Sequence, residues 1–260
     1  MEIVKLQAVT GNPNIPPDVT RLDFRAADGF EDWALIKPGK RKGLWAVVIH
    51  GHGSTGDQLY TREDIRRLWL TKHLASEVGV LTLNLRGNSW MGPAAAADTR
   101  AVLAYMRAEW GLTQTVFHSG SMGGTSNLIY AALHPEDVQA LVLCGAAVDI
   151  GSYHDWKLTQ PLPIHAEIAA AIRANYGGAP SERPELYAKH SALANRGRLT
   201  MPIHFSHGEL DNLMSITQAR GFAQAMADKA DFVFKEIPGG NHDSPLHEPQ
   251  GWDWALARLG

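Results

Sequence analysis

The chain has 260 residues, 45% of them hydrophobic and 20% charged, with a formal net charge of −3. That length allows one large α/β domain with a sizeable core, and the near-neutral charge favours neither nucleic acid nor an anionic membrane surface as a partner. The single cysteine, Cys144, excludes an internal disulfide framework.

The opening residues, MEIVKLQAVTGNPNIPP, hold no long apolar region. The expectation is therefore no signal peptide, no transmembrane helix and a cytoplasmic location. Thr20–Ala26 and Trp33–Lys37 flank Asp28-Gly29, a hairpin-type turn signal. The basic run Lys37–Lys42 (KPGKRK) contains Pro38 and Gly39 and reads as a solvated turn. Apolar strand-like runs follow at Leu44–Ile49, Val80–Leu85, Thr115–His118, Ala140–Cys144, Pro202–Ser206 and Phe232–Ile237. Helical periodicity lies between them at Thr61–Val78, Asp98–Trp110, Ser121–Leu133 and Thr217–Ala230, and Ala94–Ala97 after Pro93 reads as a helix start. Two antiparallel strands followed by β-α-β units predict a mostly parallel eight-stranded sheet with helices on both faces. In such sheets the ligand sits beyond the carboxyl ends of the strands.

Each chemistry-bearing motif falls at such an end. Thr115–His118 runs into Ser119-Gly120-Ser121-Met122-Gly123-Gly124 and then into a helix. A strand, a tight turn of small residues and a helix around a serine make a nucleophile elbow. Ser121 is the candidate nucleophile, and the Met122 backbone N–H at the helix start is a candidate oxyanion donor. The usual pattern is Gly-x-Ser-x-Gly, and Ser119 occupies its first position. No lysine stands in a P-loop position, which argues against a phosphate site. The strand Leu44–Ile49 ends in His50-Gly51-His52-Gly53, where the His52 backbone N–H is the candidate second donor. The H-x-H spacing also suits a metal, but no further His or Asp follows closely; the reading adopted is no metal and no cofactor. His207-Gly208-Glu209-Leu210-Asp211 follows a late strand, and the last strand runs into a glycine-rich loop carrying His242. Asp211 is the candidate orienting acid, with Asp149, Glu209 and Asp243 as alternatives.

The order Ser121, Asp211, His242 at strand ends resembles the α/β-hydrolase superfamily from about Thr20 onward. Within it, ELYAKHSALANRGRLTMPIHFSHGELDNLMSITQARGFAQAM looks most like the prolyl oligopeptidase and dienelactone-hydrolase-like branches. LNLRGNSW is similar to the Arg-Gly loop after the fourth strand there, with Asn84 where Asp is common. Dienelactone hydrolases themselves use cysteine at the elbow. The resemblance implies a metal-independent serine hydrolase. Ser121 would be the nucleophile, His242 the general base and acid, Asp211 the orienting acid, and the His52 and Met122 backbones the oxyanion hole. The expected substrate is a small-molecule carboxylic ester of small or medium acyl size, with peptidase or amidase, and thioesterase or acyltransferase, as alternatives. The expected organisation is one domain over 1–260 with a small cap insertion at about 149–200. Trp90, Tyr153 and Trp156 are candidates to line the pocket.

Overall fold

The computed structural model describes residues 1–248 and 250–259. Among these residues nine strands form one sheet: β1 (Glu2–Ala8), β2 (Thr20–Arg25), β3 (Glu31–Lys37), β4 (Leu44–Ile49), β5 (Gly79–Leu83), β6 (Gln114–Gly120), β7 (Ala140–Cys144), β8 (Ile203–Gly208) and β9 (Phe232–Ile237). Their order is β1-β2-β3-β5-β4-β6-β7-β8-β9. The pairs from β1 to β5 along that order are antiparallel and the rest parallel. The expected eight strands are therefore nine. The extra one, β1, is an edge strand exposed along nearly its whole length. An edge strand without a buried face carries little alternation for a sequence reading to detect.

Strand β4 shows why the sheet is covered on both sides. All six of its residues are buried, with Trp45, Val47 and Ile49 in one apolar cluster and Leu44, Ala46 and Val48 in the other. Alternate side chains point to opposite faces, so a continuous apolar run needs helices above and below. One face carries α1 (Gln58–Thr61), α2 (Glu63–Ile65), a π-turn at Arg66–Leu70, α3 (Thr71–Ala75) and, at the far end of the chain, α10 (Gln250–Leu256). The other carries α4 (Pro93–Glu109), α5 (Ser121–Leu133), α6 (Ile150–Leu158), α7 (Pro163–Tyr176), α8 (Pro184–His190) and α9 (Ile216–Ala225). The helix expected over Thr61–Val78 is present from Glu63 to Ala75 as one helical stretch with the π-turn inside it. Arg62 is extended at φ −81°, ψ 115°, and splits α1 from α2.

The 149–200 segment supplies α6, α7 and α8. Tyr153, Ile168, Ile172, Tyr176 and Tyr187 from these helices join the same buried cluster as the sheet. Asp149 caps α6, accepting from the Ser152 N–H at 2.7 Å and from the Ser191 hydroxyl. Among the described residues, no helix is long and apolar enough to cross a membrane.

Candidate active site

β6 and β8 lie two places apart in the sheet, and β9 is next to β8. The loops beyond their carboxyl ends therefore meet. Ser121 opens α5 directly after β6 with φ +56°, a left-handed conformation that a non-glycine residue adopts only under constraint. α5 has to lie very close to the end of β4. A Cβ on Gly123 would stand 2.0 Å from the Ile49 carbonyl oxygen, so only glycine fits. Gly123→Ala should cost about 1–3 kcal/mol or more in urea unfolding, because backbone and not a flexible side chain is in the way; a wild-type midpoint would show that the two elements can separate freely.

The first elbow position departs from the family pattern for a reason beyond small size. The Ser119 hydroxyl, fully buried, accepts from the Ile49 N–H at 2.8 Å and from the Asn127 amide at 2.8 Å. The paired register of β4 with β6 ends at Val47–Phe117. Ser119 carries the link two residues further with its side chain and ties the end of β4 to α5.

Ser121, His242 and Asp211 come together. His242 Nδ1 lies 2.8 Å from Asp211 Oδ2, and His242 Nε2 lies 3.0 Å from Ser121 Oγ. An ionised carboxylate only accepts, so Nδ1 carries the ring proton and Nε2 is left to accept from the serine hydroxyl. Asp211 Oδ1 accepts from the Leu213 and Met214 N–H groups at 2.8 and 2.9 Å. Burial pushes the Asp211 carboxyl up, but the hydrogen bond and charge of His242 and the Met214 N–H outweigh it and hold the group below its ordinary value. Gly145, at φ +58°, leaves room for this pair. A Cβ there would sit 3.4 Å from Asp211 Oδ2.

The other three carboxylates have different work. Asp149 caps α6. Glu209 accepts from the Gly239 N–H at 2.8 Å, and Asp243 accepts from Arg62 at 3.1 Å.

Of the two candidate oxyanion donors, Met122 follows the serine in α5, and His52 lines the same cavity as Ser121. Met122 is the second residue of α5, no side chain caps that helix, and among the described residues neither the Met122 nor the His52 N–H reaches a protein acceptor. Gln58 was not foreseen. Its Oε1 accepts from the Gly51 N–H at 2.8 Å and fixes the turn just before His52. The rings of His50 and His52 are committed separately. His50 Nε2 lies 2.8 Å from the Asn84 carbonyl, whereas His52 faces Trp90 and Glu167.

A cavity of about 210 Å³ opens at Ser121 and His242. Val48, Leu59, Ile65, Trp69 and Leu246 line its inner side, and Tyr153, Ile164, Ile168, Leu213 and Met214 the side toward the 149–200 helices. Of the three aromatics expected there, Tyr153 lines the cavity. Trp90 is fully buried behind His52, and Trp156 stacks on the back of Tyr153 with ring centroids 6.0 Å apart.

One more group was not legible in the sequence. Lys157, on α6, is fully buried. Its ammonium donates to the Leu213 carbonyl at 2.7 Å and lies 3.0 Å from His165 Nδ1. Burial pulls it down to about 8. The Tyr153 hydroxyl donates to the same carbonyl at 3.0 Å. Thus the peptide that holds Asp211 through its N–H is held in turn through its C=O.

A twisted, mostly parallel sheet with its helices on both faces, and an elbow serine beyond its sixth strand, define an α/β-hydrolase fold. A family model for the alpha/beta hydrolase fold matches residues 47–165. No curated protein sequence matches the chain. Among solved structures, a dipeptidyl aminopeptidase IV candidate from Bacteroides ovatus is 16% identical with a TM-score of 0.72, over 95% of this chain and 37% of that one. A puromycin-hydrolyzing peptidase of Mycobacterium tuberculosis is 17% identical with a TM-score of 0.69, over 92% of this chain and 39% of that one. An esterase of Pyrococcus furiosus is 14% identical with a TM-score of 0.69, over 99% of this chain and 100% of that one. The chain therefore spans less than two fifths of the two peptidase-type structures and the whole of the esterase. At these identities the likeness is one of fold.

Proposed function

We propose that the protein is a serine hydrolase that cleaves carboxylic esters of small or medium acyl groups through an acyl-enzyme. The observation that carries this reading is the unbroken relay Asp211–His242–Ser121, with Ser121 on a strained elbow at the mouth of the cavity. A serine hydroxyl is a weak nucleophile at neutral pH. His242 takes its proton as the oxygen attacks the ester carbonyl, and returns it to the leaving alcohol. Asp211 keeps the ring in the Nδ1–H tautomer and stabilises the imidazolium. The His52 and Met122 N–H groups stabilise the oxyanion. Water, activated by the same histidine, then releases the acid.

Two features favour short esters over larger substrates. The cavity, at about 210 Å³, is smaller than the roughly 300–1,000 Å³ of sites that enclose drug-sized ligands. Its lining is mainly apolar on both sides of the serine. In a panel of p-nitrophenyl esters and aminoacyl anilides assayed with EDTA present, acetate to hexanoate esters should be turned over fastest. Preferred cleavage of the anilides would make the protein a peptidase instead. Loss of activity to EDTA with recovery on adding Zn²⁺ would replace the serine mechanism with a metal one.

A further inference from the structure

The stretch LNLRGNSW, Leu83–Trp90, has no part in the proton relay, yet it belongs to a costly segment of backbone. Leu85, Arg86, Trp90 and Met91 all have left-handed φ values, of 50°, 56°, 49° and 51°. Such conformations persist only where surrounding contacts over-determine them. Here Arg86 is clamped by Asp28 at 2.7 Å and Asp98 at 2.5 Å, its N–H donates to Asp32 at 2.7 Å, and the Tyr176 hydroxyl donates to the Trp90 carbonyl at 3.1 Å.

The constrained loop reaches the His50–Gly56 turn at four points. The Asn84 carbonyl accepts from His50 Nε2 at 2.8 Å, and the Asn84 side-chain oxygen accepts from the Gly56 N–H at 3.2 Å. The Asn88 side-chain oxygen accepts from the Gly53 N–H at 2.7 Å. The Trp90 indole nitrogen lies 3.1 Å from His52 Nδ1. An indole N–H only donates, so His52 Nδ1 must be unprotonated and the ring proton must sit on Nε2. Nε2 lies 3.2 Å from Glu167 Oε1, an acceptor. Only the neutral Nε2–H tautomer satisfies both neighbours. A proton added at Nδ1 would set two N–H groups head to head.

We propose that Trp90 is a positioning residue for the oxyanion hole. Its indole N–H, with Glu167 at the opposite ring nitrogen, locks the His52 imidazole in the neutral Nε2–H form and so holds the His52 main-chain N–H beside Ser121. The inference rests on the proposed serine mechanism, in which that N–H is an oxyanion donor.

The groups around the ring agree with a neutral imidazole. Burial disfavours its charge, Glu167 from α7 favours it, and Lys157 from α6 and His50 from the same turn oppose it, with the balance downward. Glu167 is largely exposed, so its share is small and Trp90 carries most of the lock.

The test uses Trp90→Phe, which removes the N–H but retains a ring against Tyr153. In the wild type, imidazole ¹⁵N spectra at neutral pH should show His52 protonated at Nε2 alone. In the variant, with no donor facing Nδ1, the Nδ1–H tautomer should appear beside it. Its kcat on a short ester should fall about tenfold, with KM within about twofold, since a displaced donor weakens transition-state contacts more than ground-state binding. Glu167→Gln should change kcat less than Trp90→Phe. A wild-type Nδ1–H tautomer overturns the proposal even if the variant does not fold. So does a folded Trp90→Phe protein with wild-type kcat. Failure of the underlying reading shows separately, as turnover by Ser121→Ala whatever the state of the His52 ring.

Discussion

Ser121→Ala is expected to lower ester turnover by about 10⁶, the scale seen when the nucleophile of a serine protease triad is removed. The substitution deletes only the attacking oxygen. It leaves His242 on Asp211, the helix start in place and the cavity open. Stability should hold or rise slightly. The Ser121 backbone sits at φ +56°, a strain any non-glycine residue would share, and the hydroxyl's contact with His242 lies at the cavity mouth and not in the core. The measurements are kcat on a short ester, labelling by a fluorophosphonate and the thermal midpoint. Near-normal turnover by pure, folded Ser121→Ala protein would falsify the nucleophile assignment.

Asp211→Asn should lower kcat by roughly 10⁴ with little change in the fold, by analogy with the loss of the orienting acid in a serine protease. The amide oxygen can still accept from the Leu213 and Met214 N–H groups, but its NH₂ then faces His242 Nδ1 and favours the wrong tautomer. The pH behaviour follows from the lowered carboxyl. A group whose folded pKa lies below its unfolded value adds stability above the unfolded value and loses it as pH falls through the folded one. Asp211 should therefore stay ionised, with its hydrogen bond to His242 intact, through neutral and mildly acidic pH, and the wild-type stability advantage over Asp211→Asn should fade only below the ordinary carboxylate range. Asp149→Asn is the control. Asp149 is a helix cap, so its loss should cost about 1 kcal/mol of stability or less and leave kcat nearly unchanged. A crippled Asp149→Asn enzyme beside a mild Asp211→Asn enzyme would reverse the assignment.

The sequence carried those parts of the fold whose residues act locally. A strand buried on both faces, such as Leu44–Ile49, is a run of apolar residues and nothing else. The elbow needs small residues at fixed spacing around Ser121, and that spacing is visible in any reading. Partners outside any one periodic element left no such trace. Gln58 fixes Gly51, Glu167 meets His52, and Lys157 holds Leu213, each through contacts that no periodicity announces. Trp90 and Trp156 were reasonable pocket candidates by residue type, but their indoles turn away from the cavity toward His52 and Tyr153. β1 escaped notice because its exposed edge has no core to pattern it. The break at Arg62 is a conformational choice of one residue, invisible against an otherwise helical stretch.

The double hold on the Leu213 peptide bears on how this scaffold could be re-engineered. Lys157 and Tyr153 belong to the helices that roof the cavity, yet their hydrogen bonds end on the loop that carries Asp211. Roof and machinery are therefore not separable modules. A graft that replaced 149–200 with the corresponding segment of a relative, to import a new substrate preference, would remove the anchor of the acid at the same stroke. A transplant that keeps a buried donor at the Leu213 carbonyl meets that constraint; one chosen for pocket shape alone leaves the carbonyl without a partner and the acid loop free to drift.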